Sequence, residues 1–167
     1  SATIEVTDAS GGVSVPHAQV RSGLLMTHFQ TTLAQCKIPL SEKVLLRYGV
    51  QLKKAIRHMH NNGFCHLDIK PSNVFLLQGN CYLGDYGAAQ QIGHEIKEIT
   101  RNYYPTDFPV TAEKKTDYLL LAKTLLEMYG EIDSPVMSMT TNDIMAAVQG
   151  VETVAVRDFL LSCFDNE

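Results

Sequence analysis

The sequence of 167 residues carries little charge: 19% of its residues are charged, and the formal net charge is −4 at pH 7. Because this charge is small and negative, we expect neither nucleic acid nor a membrane as a partner. The longest mostly apolar stretch, residues 118–126, is too short to cross a bilayer and contains Lys123. With 45% apolar residues and no internal repeat, the chain is typical of one globular domain.

Cysteine is also scarce, and its spacing excludes the common cysteine-based sites. The sequence has neither a Cys-x-x-Cys pair nor the spacing of metal ligands among Cys36, Cys65, Cys81 and Cys163. We therefore expect these cysteines to be reduced thiols and the protein to be intracellular, either cytoplasmic or nuclear.

No lysine occurs before Lys37, and the glycine pair at residues 11–12 lacks the remaining spacing of a phosphate-binding loop. The pair is more typical of a turn between two short strands, which the alternating pattern predicts at residues 3–6 and 13–15. The N-terminal part of the sequence therefore provides no recognisable phosphate cradle.

The most informative stretch is residues 64–87. It reads Phe-Cys-His-Leu-Asp-Ile-Lys-Pro-Ser-Asn, then a predicted strand, turn and strand, and then Gly-Asp-Tyr-Gly. It resembles the catalytic loop and magnesium loop of eukaryotic protein kinases, His-Arg-Asp-x-Lys-Pro-x-Asn followed one hairpin later by Asp-Phe-Gly. Leu67 stands in place of the arginine and Tyr86 in place of the phenylalanine. Four polar positions across a hairpin are far more specific than either short motif alone.

The resemblance assigns a role to each polar residue. Asp68 would accept or orient the proton of the substrate hydroxyl, and Lys70 would neutralise charge on the migrating phosphoryl group. Asn73, in the catalytic loop, and Asp85 would supply hard oxygen ligands for Mg²⁺, brought together by the hairpin between them. ATP and Mg²⁺ are the cofactors so implied.

Residues 23–29 resemble the strand that leads into the kinase hinge. The resemblance places Met26 as gatekeeper and the backbone of Thr27, His28 and Phe29 beside adenine. Phe75 would form the floor under adenine, where the family usually has leucine or methionine. A phenyl ring takes more room there, although Phe75 is also unremarkable as a core residue.

Residues 87–108 would form the activation segment, a compact polar loop with few apolar anchors. The segment ends in Tyr-Pro-Thr-Asp at residues 104–107, a degraded counterpart of the family's Ala-Pro-Glu. Seven residues before Asp107 stands Thr100, where many Ser/Thr kinases have a threonine that bridges the catalytic aspartate and lysine. An ordinary loop threonine is the alternative reading.

Two long helices are predicted. Ser41 is a good N-cap for a helix to about residue 62, and Gly63 suits its C-cap. Apolar residues at steps of three and four form one stripe along it: Leu45, Tyr48, Leu52, Ile56 and Met59. Residues 116–128 resemble the buried central helix of the kinase large lobe, in which Asp117 would bond the backbone around His66. Two amphipathic helices are expected at residues 141–149 and 154–164.

The expected fold is α+β and mainly α: a protein-kinase-like C-terminal lobe with small β-hairpins and little or no N-terminal lobe. Residues 1–22 would be a strand-like remnant of, or substitute for, the small lobe, and residues 23–167 the C-lobe-like domain. An uncovered lobe would expose apolar surface near Met26, Phe29 and Phe75. That surface would be covered by a second copy in a homodimer, by a partner kinase, or by the N-terminal strands folded back onto it. We favour the last two.

Three functions remain open. The first is a protein kinase that transfers phosphate to protein Ser/Thr hydroxyls, a type favoured by Lys70 after Asp68. The second is a catalytically inactive kinase-like module (a pseudokinase) that binds a protein partner. The third, a small-molecule phosphotransferase, is disfavoured by Lys70, by Tyr86-Gly87 and by the helix that carries Asp117. Activity of this chain is open, because it lacks a glycine-rich loop and a nucleotide-binding lysine.

Overall fold

A computed structural model describes residues 31–100, 103–132 and 138–165 in full, and the backbone of two short strands near the N-terminus. The four helices described are α1 (Glu42–Asn61), α2 (Lys114–Met128), α3 (Thr141–Gln149) and α4 (Val154–Ser162). The strands are β1 (Val6–Asp8), β2 (Val13–Ser14), β3 (Thr31–Thr32), β4 (Phe64–Cys65), β5 (Val74–Leu77), β6 (Asn80–Leu83) and β7 (Gln90–Gln91). The fold is the expected one, mainly helical with small sheets.

Helix α1 begins and ends where its sequence predicts. The Ser41 hydroxyl accepts a hydrogen bond from the Val44 amide at 3.3 Å, and Gly63 follows the helix with a φ of 89°. The predicted apolar stripe is buried along its whole length. Burial of that stripe against α2 and the β5–β6 hairpin fixes the direction in which α1 delivers the loop after residue 63.

Helix α2 lies at the centre of the core. Every residue from Thr116 to Met128 is buried, so this helix has no solvent-facing side. The core around it is largely aliphatic, and Lys123 is nevertheless 0% exposed. The surroundings of α2 therefore include groups that satisfy a charged side chain.

The β5–β6 hairpin turns at the predicted place, with positive φ angles of 52° at Gln78 and 80° at Gly79. It forms the middle of a five-stranded sheet in the order β2-β1-β6-β5-β3. Strand β1 pairs antiparallel with β6, Thr7 opposite Leu83. Residues 6–8 and 13–14 thus join the sheet as strands, and residues 3–5 of the strand predicted at residues 3–6 lie outside the described residues. The predicted domain boundary at residues 22–23 falls outside the described residues.

A second, two-stranded sheet pairs β4 with β7 and so joins the start of the catalytic loop to residues 90–91. All four cysteines lie in the described part, and no disulfide joins them. Among the helices described, none combines the length and the apolar character that a membrane span requires.

Candidate active site

The catalytic loop is attached to helix α2 through Asp117. One oxygen of this buried carboxylate accepts from the His66 amide and the other from the Leu67 amide, each at 2.8 Å. The His60 ring, from α1, adds a third contact at 2.8 Å. Leu67 is fully buried with a φ of 68°, a conformation unfavourable for leucine, and its bond to Asp117 helps to hold it there. The predicted bonding of Asp117 to the backbone around His66 is confirmed.

Asp68 follows directly and is held by three side chains. The Asn73 amide nitrogen donates to the Asp68 carboxylate at 2.9 Å and to its main-chain carbonyl at 2.8 Å. The Thr100 hydroxyl donates to the other carboxylate oxygen at 2.6 Å. The Lys70 ammonium lies 3.6 Å from that same oxygen. This carboxylate is therefore fixed in position, yet it remains partly exposed.

Thr100 bridges Asp68 and Lys70. The Lys70 ammonium donates to the Thr100 oxygen at 2.9 Å, while the Thr100 hydroxyl proton points to Asp68. The predicted bridging role is confirmed, and the reading of Thr100 as an ordinary loop residue is wrong. The activation segment thus contributes a side chain to the predicted catalytic pair.

His66 links the catalytic loop to the end of the hairpin. The Asp68 amide donates to His66 Nδ1 at 3.1 Å, so Nδ1 carries no proton. The ring proton is therefore on Nε2, which donates to the Gly84 carbonyl at 2.8 Å. Burial lowers the pKa of His66 and favours this neutral ring. The Gly84 amide in turn donates to the Asn73 carbonyl at 3.0 Å. The main chain of Asn73 is therefore bonded to the residue that precedes Asp85, the other predicted metal ligand.

Asp85 is held more loosely than Asp68. It is exposed, it has a φ of 57°, and its carboxylate accepts from the Gly87 amide at 3.3 Å. The nitrogen of the Asn73 amide is committed to Asp68, so its oxygen is the atom of that side chain that could ligate a cation. A carboxylate oxygen and an amide oxygen are both hard ligands of the kind that Mg²⁺ prefers. The residues fit this ion, and their convergence on it stays a prediction.

The predicted nucleotide floor has a specific packing partner. A Cβ added to Gly84 would lie 2.5 Å from Cε2 and 2.8 Å from Cδ2 of Phe75, so the phenyl ring lies directly against this glycine. The Phe75 ring fits there because residue 84 is a glycine and has no side chain. The other predicted nucleotide contacts, Met26, Thr27, His28 and Phe29, lie outside the described residues and stay predictions.

Two rings anchor the end of the activation segment. Tyr103 and Tyr104 are 6% and 4% exposed, which agrees with the expectation of few apolar anchors. Tyr103 contacts Lys123 and Thr124 of α2, and Tyr104 packs edge-on against Phe108. The Asp107 carboxylate accepts hydrogen bonds from the Thr141 amide at 2.9 Å and from the Thr141 hydroxyl at 3.0 Å. The hydrogen bond from the amide lowers the pKa of Asp107. Asp107 thereby ties the segment to the start of α3.

Two groups that support the site are not predicted by the sequence motifs. The His60 ring contacts the Asp117 carboxylate. The Lys123 ammonium donates to the Tyr103 carbonyl at 2.8 Å. A lysine in the middle of a buried helix was the available signal, because such a charge requires a partner.

The family model described as protein kinase domain matches residues 16–128, more than half of the chain. The human "MAPK/MAK/MRK overlapping kinase" is 41% identical over 56 residues, which cover 34% of this chain and 13% of that protein. "Serine/threonine-protein kinase mos" of Xenopus laevis is 38% identical over 55 residues, 32% of this chain and 15% of that protein.

The solved structure of vaccinia related kinase 3 is similar in fold, with a TM-score of 0.58, 16% identity, and coverage of 83% of this chain and 55% of that one. The chain belongs to the protein kinase family. Its aligned stretches span 13–15% of the length of the two curated relatives named above.

Proposed function

We propose that this chain carries the catalytic-loop apparatus for transfer of a phosphoryl group from ATP to a Ser or Thr hydroxyl of a protein. The observation that carries the proposal is the Asp68–Thr100–Lys70 bridge. It joins a carboxylate, a hydroxyl and an ammonium from two separate loops. Positioning of this kind is what phosphoryl transfer demands of a protein.

The proposed roles follow from the geometry of each group. Asp68, fixed by Asn73 and Thr100, would orient the attacking hydroxyl and take its proton. Lys70, held at Thr100, would place positive charge beside the transferred group. Asn73 and Asp85 would hold Mg²⁺, which neutralises phosphate charge when it is bound.

Preference for Ser/Thr over Tyr hydroxyls rests on two observations. Lys70 stands two residues after Asp68, a position that tyrosine kinases usually fill differently. The similar protein from Xenopus laevis is named as a serine/threonine-protein kinase. We therefore propose protein Ser/Thr residues as the acceptor.

A binding module without catalysis is the second candidate, and specific residues favour it. Phe75 stands at the predicted adenine floor, where the family usually has leucine or methionine, and its ring packs against Gly84. In this alternative the residues that match the catalytic loop would serve stability and partner binding. A small-molecule phosphotransferase is not favoured, since Thr100 bridges Lys70 to Asp68 as it would in a protein kinase.

The domain organisation and partners are proposed from the same features. Residues 1–22 would form a strand-like segment and residues 23–167 the C-lobe-like unit, and the pairing of β1 with β6 supports a role of the first segment as a cover for the sheet of the second. The partner would be a protein substrate or another kinase in an intracellular compartment. A homodimer is the alternative cover for the apolar surface near Phe75.

Binding and transfer are tested separately. We expect Mg²⁺ with ATP to raise the Tm of this chain, and Asp85→Asn to remove the magnesium-dependent part of that rise. Asp68→Asn should leave binding intact and lower the rate of transfer to a Ser/Thr peptide library about 10²- to 10⁴-fold. Asp143→Asn is the matched control, since this exposed aspartate belongs to the capping box of α3 and should not affect transfer.

Each outcome assigns the function. Binding and transfer that respond as expected support the kinase proposal. Binding without transfer in the wild-type chain favours the inactive module. Transfer that persists in Asp68→Asn would contradict the role of Asp68.

A further inference from the structure

Two successive residues of helix α2 hold one residue of the activation segment. The Lys123 ammonium donates to the Tyr103 carbonyl at 2.8 Å and lies 4.8 Å from the centre of the Tyr103 ring. The Thr124 hydroxyl lies 2.8 Å from the Tyr103 hydroxyl. The carbonyl, the ring and the hydroxyl of Tyr103 are therefore all fixed by α2.

The protons of this network are fully assigned by chemistry. The Thr124 hydroxyl donates to the Leu120 carbonyl at 2.8 Å, which leaves the Tyr103 hydroxyl to donate to Thr124. An ammonium has three protons and no acceptor, so Lys123 can act on the Tyr103 carbonyl only as a donor. Tyr103 cannot shift without breaking bonds to both residues.

A buried charge at this place is not required by the fold. Lys123 is 0% exposed in a largely aliphatic core that also buries Glu127, and burial of an ammonium carries a desolvation cost. Replacing buried charges by apolar residues of similar volume is often neutral or stabilising. Core packing alone therefore does not account for a lysine here, and its contact with Tyr103 gives it a specific role.

Tyr103 is connected to the predicted catalytic pair by hydrogen bonds to Thr100. The amides of Tyr103 and Tyr104 both donate to the Thr100 carbonyl, at 3.1 and 3.3 Å. The Thr100 hydroxyl is the group that bridges Asp68 and Lys70. A continuous series of contacts thus runs from α2 through Tyr103 and Thr100 to the catalytic loop.

We propose that Lys123 and Thr124 are positioning residues that set the place of Thr100 and, through it, the geometry of Asp68 and Lys70. This inference rests on the proposed phosphoryl transfer for its catalytic meaning. The positioning itself is a property of the chain that can be measured without turnover. Neither residue touches the substrate, and both act through Tyr103.

Hydrogen exchange of individual amides tests the positioning. Lys123→Met keeps the length of the side chain and removes the donor, and Tyr103→Phe removes only the bond to Thr124. We expect either change to speed exchange of the Tyr103 and Tyr104 amides about 10-fold, with the amides of residues 119–121 unchanged. Thr124→Val should act in the same direction, and Thr124→Ser should restore wild-type exchange.

Lys53→Met is the matched control. The Lys53 ammonium also donates to a neighbour, the Ser162 hydroxyl at 2.9 Å, and lies 5.5 Å from the Phe159 ring centre. This lysine joins α1 to α4 and has no contact with Tyr103. Its replacement should leave exchange at Tyr103 and Tyr104 within about 2-fold of wild type.

Kinetics provide the second readout. With transfer to a peptide as the assay, Lys123→Met should lower kcat about 10-fold and leave the KM for ATP nearly unchanged. Unchanged exchange at Tyr103 and Tyr104, or equal acceleration throughout the chain, would overturn the positioning role. So would a local change in exchange that left kcat at the wild-type value.

The proposed function can fail separately from this inference. If the wild-type chain transfers no phosphate, the proposed function fails, while the exchange rates still decide whether α2 positions Thr100. If Lys123→Met does not fold, Tyr103→Phe and Thr124→Val decide the same question, because they delete one hydroxyl each.

Discussion

The two sides of the catalytic loop are held in different ways. On the inner side, which faces α2, the Asp117 carboxylate is 0% exposed and is bonded to two amides and to His60. On the outer side, Asp85 is exposed and bonded to an amide two residues along the chain at 3.3 Å. The inner carboxylate is saturated by the protein itself, whereas the outer one retains the capacity to bind a ligand. The loop thus combines a rigid support with an open site.

The largest effect is expected on the inner side. Asp117→Ala would leave two buried amides and His60 without their acceptor, and should reduce the free energy of unfolding by about 3–5 kcal/mol. Urea denaturation measures the loss. Asp107→Ala removes an exposed carboxylate that also accepts from an amide, and should cost at most about 1 kcal/mol. An equal loss of unfolding free energy in Asp117→Ala and Asp107→Ala would contradict the stronger structural role of the buried carboxylate.

Gly84 joins the two sides, since its carbonyl accepts from His66 and its amide donates to Asn73. Gly84→Ala should cost about 1–3 kcal/mol, because the new methyl group would overlap the Phe75 ring. Thermal unfolding measures this, with Gly150→Ala as control, where a Cβ would meet its nearest neighbour at 3.5 Å. Phe75→Leu should restore stability to Gly84→Ala. Failure of that rescue would mean that Phe75 is not the obstacle.

The pH dependence of stability tests the charge on the inner side. Burial lowers the pKa of Lys123 from 10.5 to about 8, and Glu127 partly offsets this. Between these values the unfolded chain binds more protons than the folded one, so stability should rise with pH, by up to about 1.4 kcal/mol per pH unit. The quantity to measure is the free energy of unfolding of wild type minus that of Lys123→Met at each pH. The contributions of other buried groups cancel in this difference. A flat difference across this range would contradict the buried charge.

The smallest effect on stability is expected at Asp85. Asparagine tolerates positive φ, so Asp85→Asn should change the free energy of unfolding by less than about 0.5 kcal/mol. The same variant should lose the magnesium-dependent binding of ATP. Chemical denaturation and a magnesium titration of the thermal shift give the two values. A large loss of stability without ligand would show that the outer carboxylate, too, is structural.

What could be predicted from the sequence was local in the chain or fixed by motif spacing. The stripe along α1, the hairpin turn at residues 78–79 and the bridging position of Thr100 are of this kind. The contacts that were missed join residues distant in sequence: Lys123 to Tyr103 across 20 positions and His60 to Asp117 across 57. Which polar group meets a buried lysine depends on packing, and no periodicity encodes it.

The pairing of β1 with β6 determines how the sheet is exposed to other molecules. Strand β6 bonds to β5 on one edge and to β1 on the other, Thr7 opposite Leu83 and Asp8 opposite Tyr82. Without β1, β6 would become an edge strand whose unpaired amides and carbonyls could accept a strand from another molecule. The N-terminal strand therefore acts as protection against intermolecular β-pairing. A chain that begins after residue 14 should self-associate through β6 even if its helices fold normally.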